Sequence, residues 1–228
     1  MILIDTVYQK VLMFANKEQR GYITPQEFNL YADQAQKEIF EQYFYDLDKM
    51  LFLARSNSDE YADKISNLQE KISLFEAKKG SFVVPGNLSP EVYRLGTIMY
   101  DGHIVEEVQL QEYLYMKRAK LIQPNGSTKN YVYVRQGNKI TTYPDSVNEV
   151  DYTYVRTPKK PGWGYVVVKG KAMHDPTNPS NRDFELHPSE ETELVYKILK
   201  FAGISMQRAD LAQAAQGMEV AQIQQEKQ

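Results

Sequence analysis

Asn16 to Glu27 has the outline of a calcium-binding EF-hand loop, with Gly21 sixth, Ile23 eighth and Glu27 twelfth between two helix-like patterns. Calcium in such a loop takes oxygen ligands from the first, third, fifth, seventh, ninth and twelfth positions. Arg20 sits fifth and puts a cation where an oxygen is needed. Glu27 has another role: Thr24 as N-cap, Pro25 as the first helical residue and Glu27 as the third form a capping box, and Ile23 can staple onto Phe28. The loop therefore reads as a capped helix start and not as a metal site.

The other reactive types are scattered. His103, His174 and His187 offer no pair at ligand spacing. His174-Asp175 with Asp183 is the only trio that would serve a hydrolase, and Asp175, Asn178, Asn181 and Asp183 could offer oxygens to a cation. The same residue types are those that build turns, through side-chain bonds to their own backbone, and that is the reading favoured here. Phosphate-binding, dinucleotide and nucleophile-elbow motifs do not occur, and with no Cys there is no thiolate chemistry. We expect no catalytic residue, no cofactor and no metal.

Any such residues would be positioned by a folded chain, because 228 residues with 42% hydrophobic and 25% charged can bury a core. A net charge of -3 argues against a dedicated nucleic-acid binder. The basic clusters Lys117, Arg118, Lys120 and Arg156, Lys159, Lys160 read as solvated surface. Met1 to Ile4 are apolar but Asp5 follows at once, so neither a signal peptide nor a membrane span is expected there. The absence of Cys fits synthesis in a reducing compartment. Seventeen Tyr against one Trp supply amphipathic side chains suited to strands and protein contacts.

Hydrophobic spacing divides the chain into helices, strands and helices again. Val7, Val11 and Phe14 mark a first helix. The second runs from Pro25 into the low fifties, with Phe28, Tyr31, Ala32, Ala35, Ile39, Tyr43, Leu47 and Met50 on one face and Phe40, Phe44 and Leu51 widening it. Tyr61, Ile65, Leu68, Ile72 and Phe75 mark a third, with Lys78 and Lys79 in its last turn and Gly80 beyond. The period then changes to two. Strands are expected at Phe82 to Val84, Leu95 to Tyr100, His103 to Val108, Tyr131 to Arg135, Lys139 to Tyr143, Val150 to Arg156, Tyr165 to Lys171 and Arg182 to Leu186. Asp101-Gly102 and Gly137-Asn138 are hairpin turns, and Leu110 to Leu121 is a short helix. Ser189 can cap a helix with Leu194, Val195, Ile198, Leu199 and Ala202 inside, and from Ser205 onward a thin apolar stripe needs a partner to stay ordered. The expected class is α+β: an N-terminal helical hairpin or bundle over 1–80, an antiparallel β-sandwich or barrel over 81–187, and a C-terminal helical arm over 188–228.

Three stretches carry a resemblance. Gly21-Tyr22-Ile23-Thr24-Pro25-Gln26-Glu27-Phe28-Asn29 within Asn16 to Asn29 is similar to the start of virion structural proteins of crAss-like and some marine tailed phages. Tyr143-Pro144 with Val150 to Trp163, and Leu186-His187-Pro188-Ser189-Glu190-Glu191 opening into Leu194 to Gly203, resemble the same family's central strand and closing helix. The resemblance implies a non-enzymatic ring protein of the head-to-tail connector, or neck, in a particle of the podovirus type. It implies copies of the chain in a ring, a dodecamer to match the portal, with the portal protein and other ring or tail proteins as partners. DNA would be met only by passage through the channel, and no membrane would be involved. The protein would be made in the bacterial host cytoplasm and reside in the virion. A closed ring needs two different surfaces on each subunit. The candidates are the second helix, through Phe28, Tyr31, Phe40 and Phe44, and the later aromatics Tyr152, Tyr154 and Trp163. The alternatives are a phage-encoded accessory hydrolase built on His174, Asp175 and Asp183, or a DNA-binding accessory protein.

Overall fold

The computed structural model describes residues 1–16, 23–54, 62–205, 216–222 and 224. The class is α+β, and the chain divides into two compact units: Met1–Leu74 with Pro158–Gln228, and Phe75–Thr157. These boundaries differ from the three segments read from the sequence. The last part of the expected β-domain, from Pro158 on, belongs with the helices.

The helical unit contains α1 (Ile4–Asn16), α2 (Pro25–Ala54), α3 (Ala62–Ser73) and α5 (Glu191–Ser205). The start of α2 is built as its sequence dictates. The Thr24 backbone N–H donates to Glu27 Oε2 at 3.0 Å, the Glu27 N–H donates back to Thr24 Oγ1 at 3.3 Å, and Ile23 and Phe28 are both buried. Residues 17–22 of the EF-hand-like loop lie outside the described residues. α5 packs against both α1 and α2, and Leu194, Val195, Ile198, Leu199 and Ala202 are buried as their spacing requires. The C-terminal helix is thus part of the unit's core and not a free arm. Its start also differs from expectation: the ring of His187, not Ser189, accepts the Ser189 N–H at 3.3 Å and caps a short 3-10 turn, Pro188–Glu190, that leads into α5.

Two further departures concern strands. Arg182 to Leu186 forms no ladder, only single bridges from Arg182 to Gly162 and from Phe184 to Ile2. The stretch Tyr165 to Lys171 is interrupted: Lys169 and Gly170 take φ of 51° and 79° and turn β8 (Tyr165–Val168) back onto β9 (Lys171–His174).

The sheet unit contains β1 (Glu76–Val83), β2 (Gly86–Asn87), β3 (Val92–Tyr100), β4 (His103–Glu107), α4 (Leu110–Arg118), β5 (Val132–Gln136), β6 (Lys139–Tyr143) and β7 (Glu149–Arg156). They form one curled sheet in the order β1-β7-β3-β4-β5-β6-β2. The sheet is mixed, not wholly antiparallel: β4 and β5 run parallel, joined through α4, the kind of crossover that a parallel pair needs. Asp101 and Gly102, with φ of 48° and 76°, make the expected tight turn, and Tyr100 faces His103 across it.

Lys78, Lys79 and Gly80 do not close α3. The helix stops at Ser73, and β1 runs through these residues, pairing with β7 from Glu76 opposite Val155 to Val83 opposite Glu149. The ladder's register shifts between Lys79 and Phe82, a bulge that takes in Gly80. Here the distant partner strand outweighs a local helix-end signal. On β3 a second irregularity, between Leu95 and Ile98, brings Gly96 so close that a Cβ there would lie 2.5 Å from Thr153 Oγ1. That hydroxyl accepts the Thr97 N–H at 2.9 Å and serves the backbone where the ladder lapses. Val84, Ile98, Val105, Tyr133, Ile140, Val150 and Tyr152 form the core of the unit.

Candidate functional site

The residues singled out for hydrolytic or metal chemistry are occupied in holding loops. Asp175 Oδ1 accepts the Thr177 N–H at 2.9 Å and its hydroxyl at 2.7 Å, and these two bonds, side chain first, hold the carboxyl below its usual pKa. Asn178 Oδ1 accepts the Ser180 N–H at 2.9 Å, and Asp183 Oδ1 accepts the Ile4 N–H at 2.9 Å. His174 Nε2 lies 3.2 Å from Asn181 Oδ1, and its ring stacks on Trp163 with centroids 5.8 Å apart. These are the Asx turns and loop ties that the residue types favour. Among the described residues no group of three or more His, Cys, Asp or Glu could hold a metal ion.

Trp163 is the centre of that arrangement. Its indole N–H donates to Asp5 Oδ1 at 2.9 Å, its backbone N–H to Asn29 Oδ1 at 2.7 Å, and Tyr8 and Tyr165 pack on its ring. It is buried and ties α1, α2 and the β8–β9 ribbon together within the helical unit. Phe28, Phe40 and Phe44 are also buried there, and Tyr152 is buried in the sheet core. All five of these interface candidates pack inside their own units in the single chain. On α2, Phe28, Phe40, Tyr43 and Phe44 pack inside the unit, whereas Tyr45, Leu51 and Phe52 are exposed. Tyr31 and Tyr154 are half-buried, and Tyr154 packs against the sheet core.

Two further uncovered surfaces lie on other elements. β8 exposes three consecutive valines, Val166 to Val168, and Met173 on β9 is exposed beside them. Successive strand residues point to opposite faces, so this two-stranded ribbon is apolar on both. In the sheet unit, α4 buries none of its residues fully; Leu114 and Tyr115 point outward, and Leu121 just beyond is 99% exposed. Sequence reasoning missed both surfaces. The signal that could have shown the ribbon is Gly170, since a Gly in a short β-branched run marks a turn. For α4 the sequence shows a short helix and a basic cluster but not which face is left exposed.

One buried feature had no sequence signal at all. Lys197, inside the apolar face of α5, lies 2.6 Å from Glu219, 3.4 Å from Glu193 and 4.0 Å from Glu38, and Lys200 lies 3.2 Å from Glu219. Residues 216–222 are helical, and Glu219 and Lys197 are both buried. The expectation that the tail needs an outside partner is corrected for this stretch, which docks on its own α5 through charge. Residues 206–215 lie outside the described residues.

No described helix is long and apolar enough to cross a membrane. No family model matches the chain, and no curated protein matches it.

Proposed function

We propose that the protein is a non-enzymatic structural subunit of a tailed-phage virion, one copy of a homo-oligomeric ring in the head-to-tail connector between portal and tail. The resemblance described above supplies the ring, its dodecameric size, its portal and tail neighbours and its place around the DNA channel. In this reading the curled sheet is a barrel-like module of the subunit, and the protein passes from the host cytoplasm into the virion.

The observation that carries the reading furthest is the β8–β9 ribbon. A hairpin of two strands is marginal in water on its own, and one that exposes Val166, Val167, Val168 and Met173 is a surface made for a partner. The sheet unit carries a second such surface at α4 and Leu121. A subunit with an apolar contact surface on each of its compact units is suited to several neighbours at once, as a ring in a stack requires. The structural bonds made by His174, Asp175 and Asp183 account for the residues on which a hydrolase reading would rest.

The test is protein mass spectrometry of purified virions of the phage whose genome carries this gene. The reading expects the chain at a fixed ratio to the portal protein. Its absence from intact, infectious particles would overturn the assignment.

A further inference from the structure

Two bare surfaces of the sheet unit match each other. The inner side of α4, through Tyr113 and Met116, packs on Val108, Val132 and Val134. Its outer side is free of that duty, and there Leu114 (52% exposed) leads to Leu121 and Ile122 (99% and 51%). Lys117, Arg118 and Lys120 stand among them, all exposed, with no ion pair to any described residue. The result is an apolar centre with a cationic rim.

The second surface follows from strand register. Asp151 on β7 lies opposite Met99 on β3, and Met99 lies opposite Ile104 on β4. Directly opposed residues project to the same face of a sheet, and so do residues two apart on one strand, which adds Glu149 and Glu106. Ile104 is 66% exposed, and a groove of about 470 Å³ runs between Met99, Asp101, Glu149 and Asp151. Asp101, Glu106, Glu149 and Asp151 are exposed and, among the described residues, have no cationic partner. This is an apolar centre with an anionic rim.

We propose that the α4 surface of one copy, led by Leu121, seats on the acid-rimmed Ile104 face of another copy. A lipid surface or a nucleic acid would use the three cations and leave the acidic face without a role. A second copy of this chain uses both surfaces, buries both apolar centres and pairs both rims, and like-charged alternatives are repelled. The inference rests on the self-association proposed above and names one contact through which it occurs.

The experiment uses the full chain at high concentration, prepared as an equal mixture of natural-abundance and ¹⁵N-labelled protein and coupled with a zero-length carbodiimide. Expected are mixed-isotope cross-links from Lys117 or Lys120 to Asp101, Glu106, Glu149 or Asp151. They should vanish in a K117E/R118E/K120E chain and in a D101K/E149K/D151K chain, and return when those two chains are mixed, because each then offers what the other lacks. Leu121→Ser, at a position too exposed to affect folding, should weaken association at least tenfold. Mixed-isotope links confined to other residues, or no rescue in the mixture, would overturn this contact. Binding of the chain to anionic phosphatidylglycerol vesicles, lost in K117E/R118E/K120E and without self-association, would also overturn it, in favour of a lipid surface. The ring reading is judged separately, by the presence of the protein in virions.

Discussion

Lys197 Nζ lies 2.6 Å from Glu219 Oε1, joining α5 to the helical stretch 216–222 within the helical unit. Burial works against the charge on both groups. For Lys197, the Glu219 hydrogen bond and the charges of Glu193, Glu219 and Glu38 outweigh burial and raise the pKa. For Glu219, the bonds and charges of Lys197 and Lys200 outweigh burial and lower it. The signs fix a window. A depressed carboxyl stabilises above its ordinary pKa and loses that contribution as pH falls through the folded value; a raised ammonium stabilises below its ordinary pKa and loses it as pH rises through the folded value. Docking of 216–222 should therefore hold from about pH 5 to about pH 10 and weaken on both sides. Carbon-13 NMR of the Glu219 carboxyl checks the acid side: an inflection below about 4.3 is expected, and one above the ordinary glutamate value contradicts the pairing.

Removing one partner of this cluster should cost more than removing both. Lys197→Met takes their shared cation from the buried Glu193 and Glu219 and should destabilise the helical unit by about 3 kcal/mol, whereas Lys197→Met with Glu219→Leu, which leaves Glu193 as the one carboxylate deprived of it, should cost clearly less. Urea unfolding of the single and double variants measures the difference. Equal losses would show that the site does not depend on charge balance.

The start of α2 gives a smaller and more local effect. Thr24→Ala removes the oxygen that accepts the Glu27 N–H, and stability should fall by about 1 kcal/mol. Millimolar calcium should leave the melting temperature of the wild type unchanged. A calcium-dependent rise that disappears in Glu27→Gln would show that Asn16 to Glu27 is a metal loop after all.

Trp163→Phe should cost about 2 kcal/mol, since it opens space beside Tyr8 and leaves Asp5 Oδ1 without the indole donor. Because the chain has one Trp, its fluorescence in the wild type reports on the helical unit alone. Emission should be blue-shifted in the folded protein and should shift red in step with loss of helical circular dichroism. A surface-type emission maximum in the folded state would contradict the burial of Trp163.

Features set by neighbours in sequence were legible before the fold was known. The Thr24 capping box and the Asp101-Gly102 turn need only a few residues to specify them, and both are built as read. What depended on distant pairing was not legible. Phe28, Phe40 and Phe44 looked surplus on α2, and they are buried in a unit whose other main helix, α5, begins far along the chain at Glu191. Lys78 to Gly80 looked like a helix end until β7 became their partner. Lys197 and Glu219 carry no signal in either of their own segments, because a buried ion pair exists only once the helices meet. The candidate surfaces shifted for the same reason: aromatic residues expected outside were buried, and the valines of β8 and the leucines around α4 remained exposed.

Single-particle electron microscopy of the neck in purified virions decides whether this protein is a ring subunit. A closed ring of identical subunits is expected below the portal, each fitted by the helical and sheet units, with the β8–β9 ribbon and α4 against neighbouring chains. A neck reconstruction whose density is fully accounted for by other proteins, with no place for these two units, would contradict it.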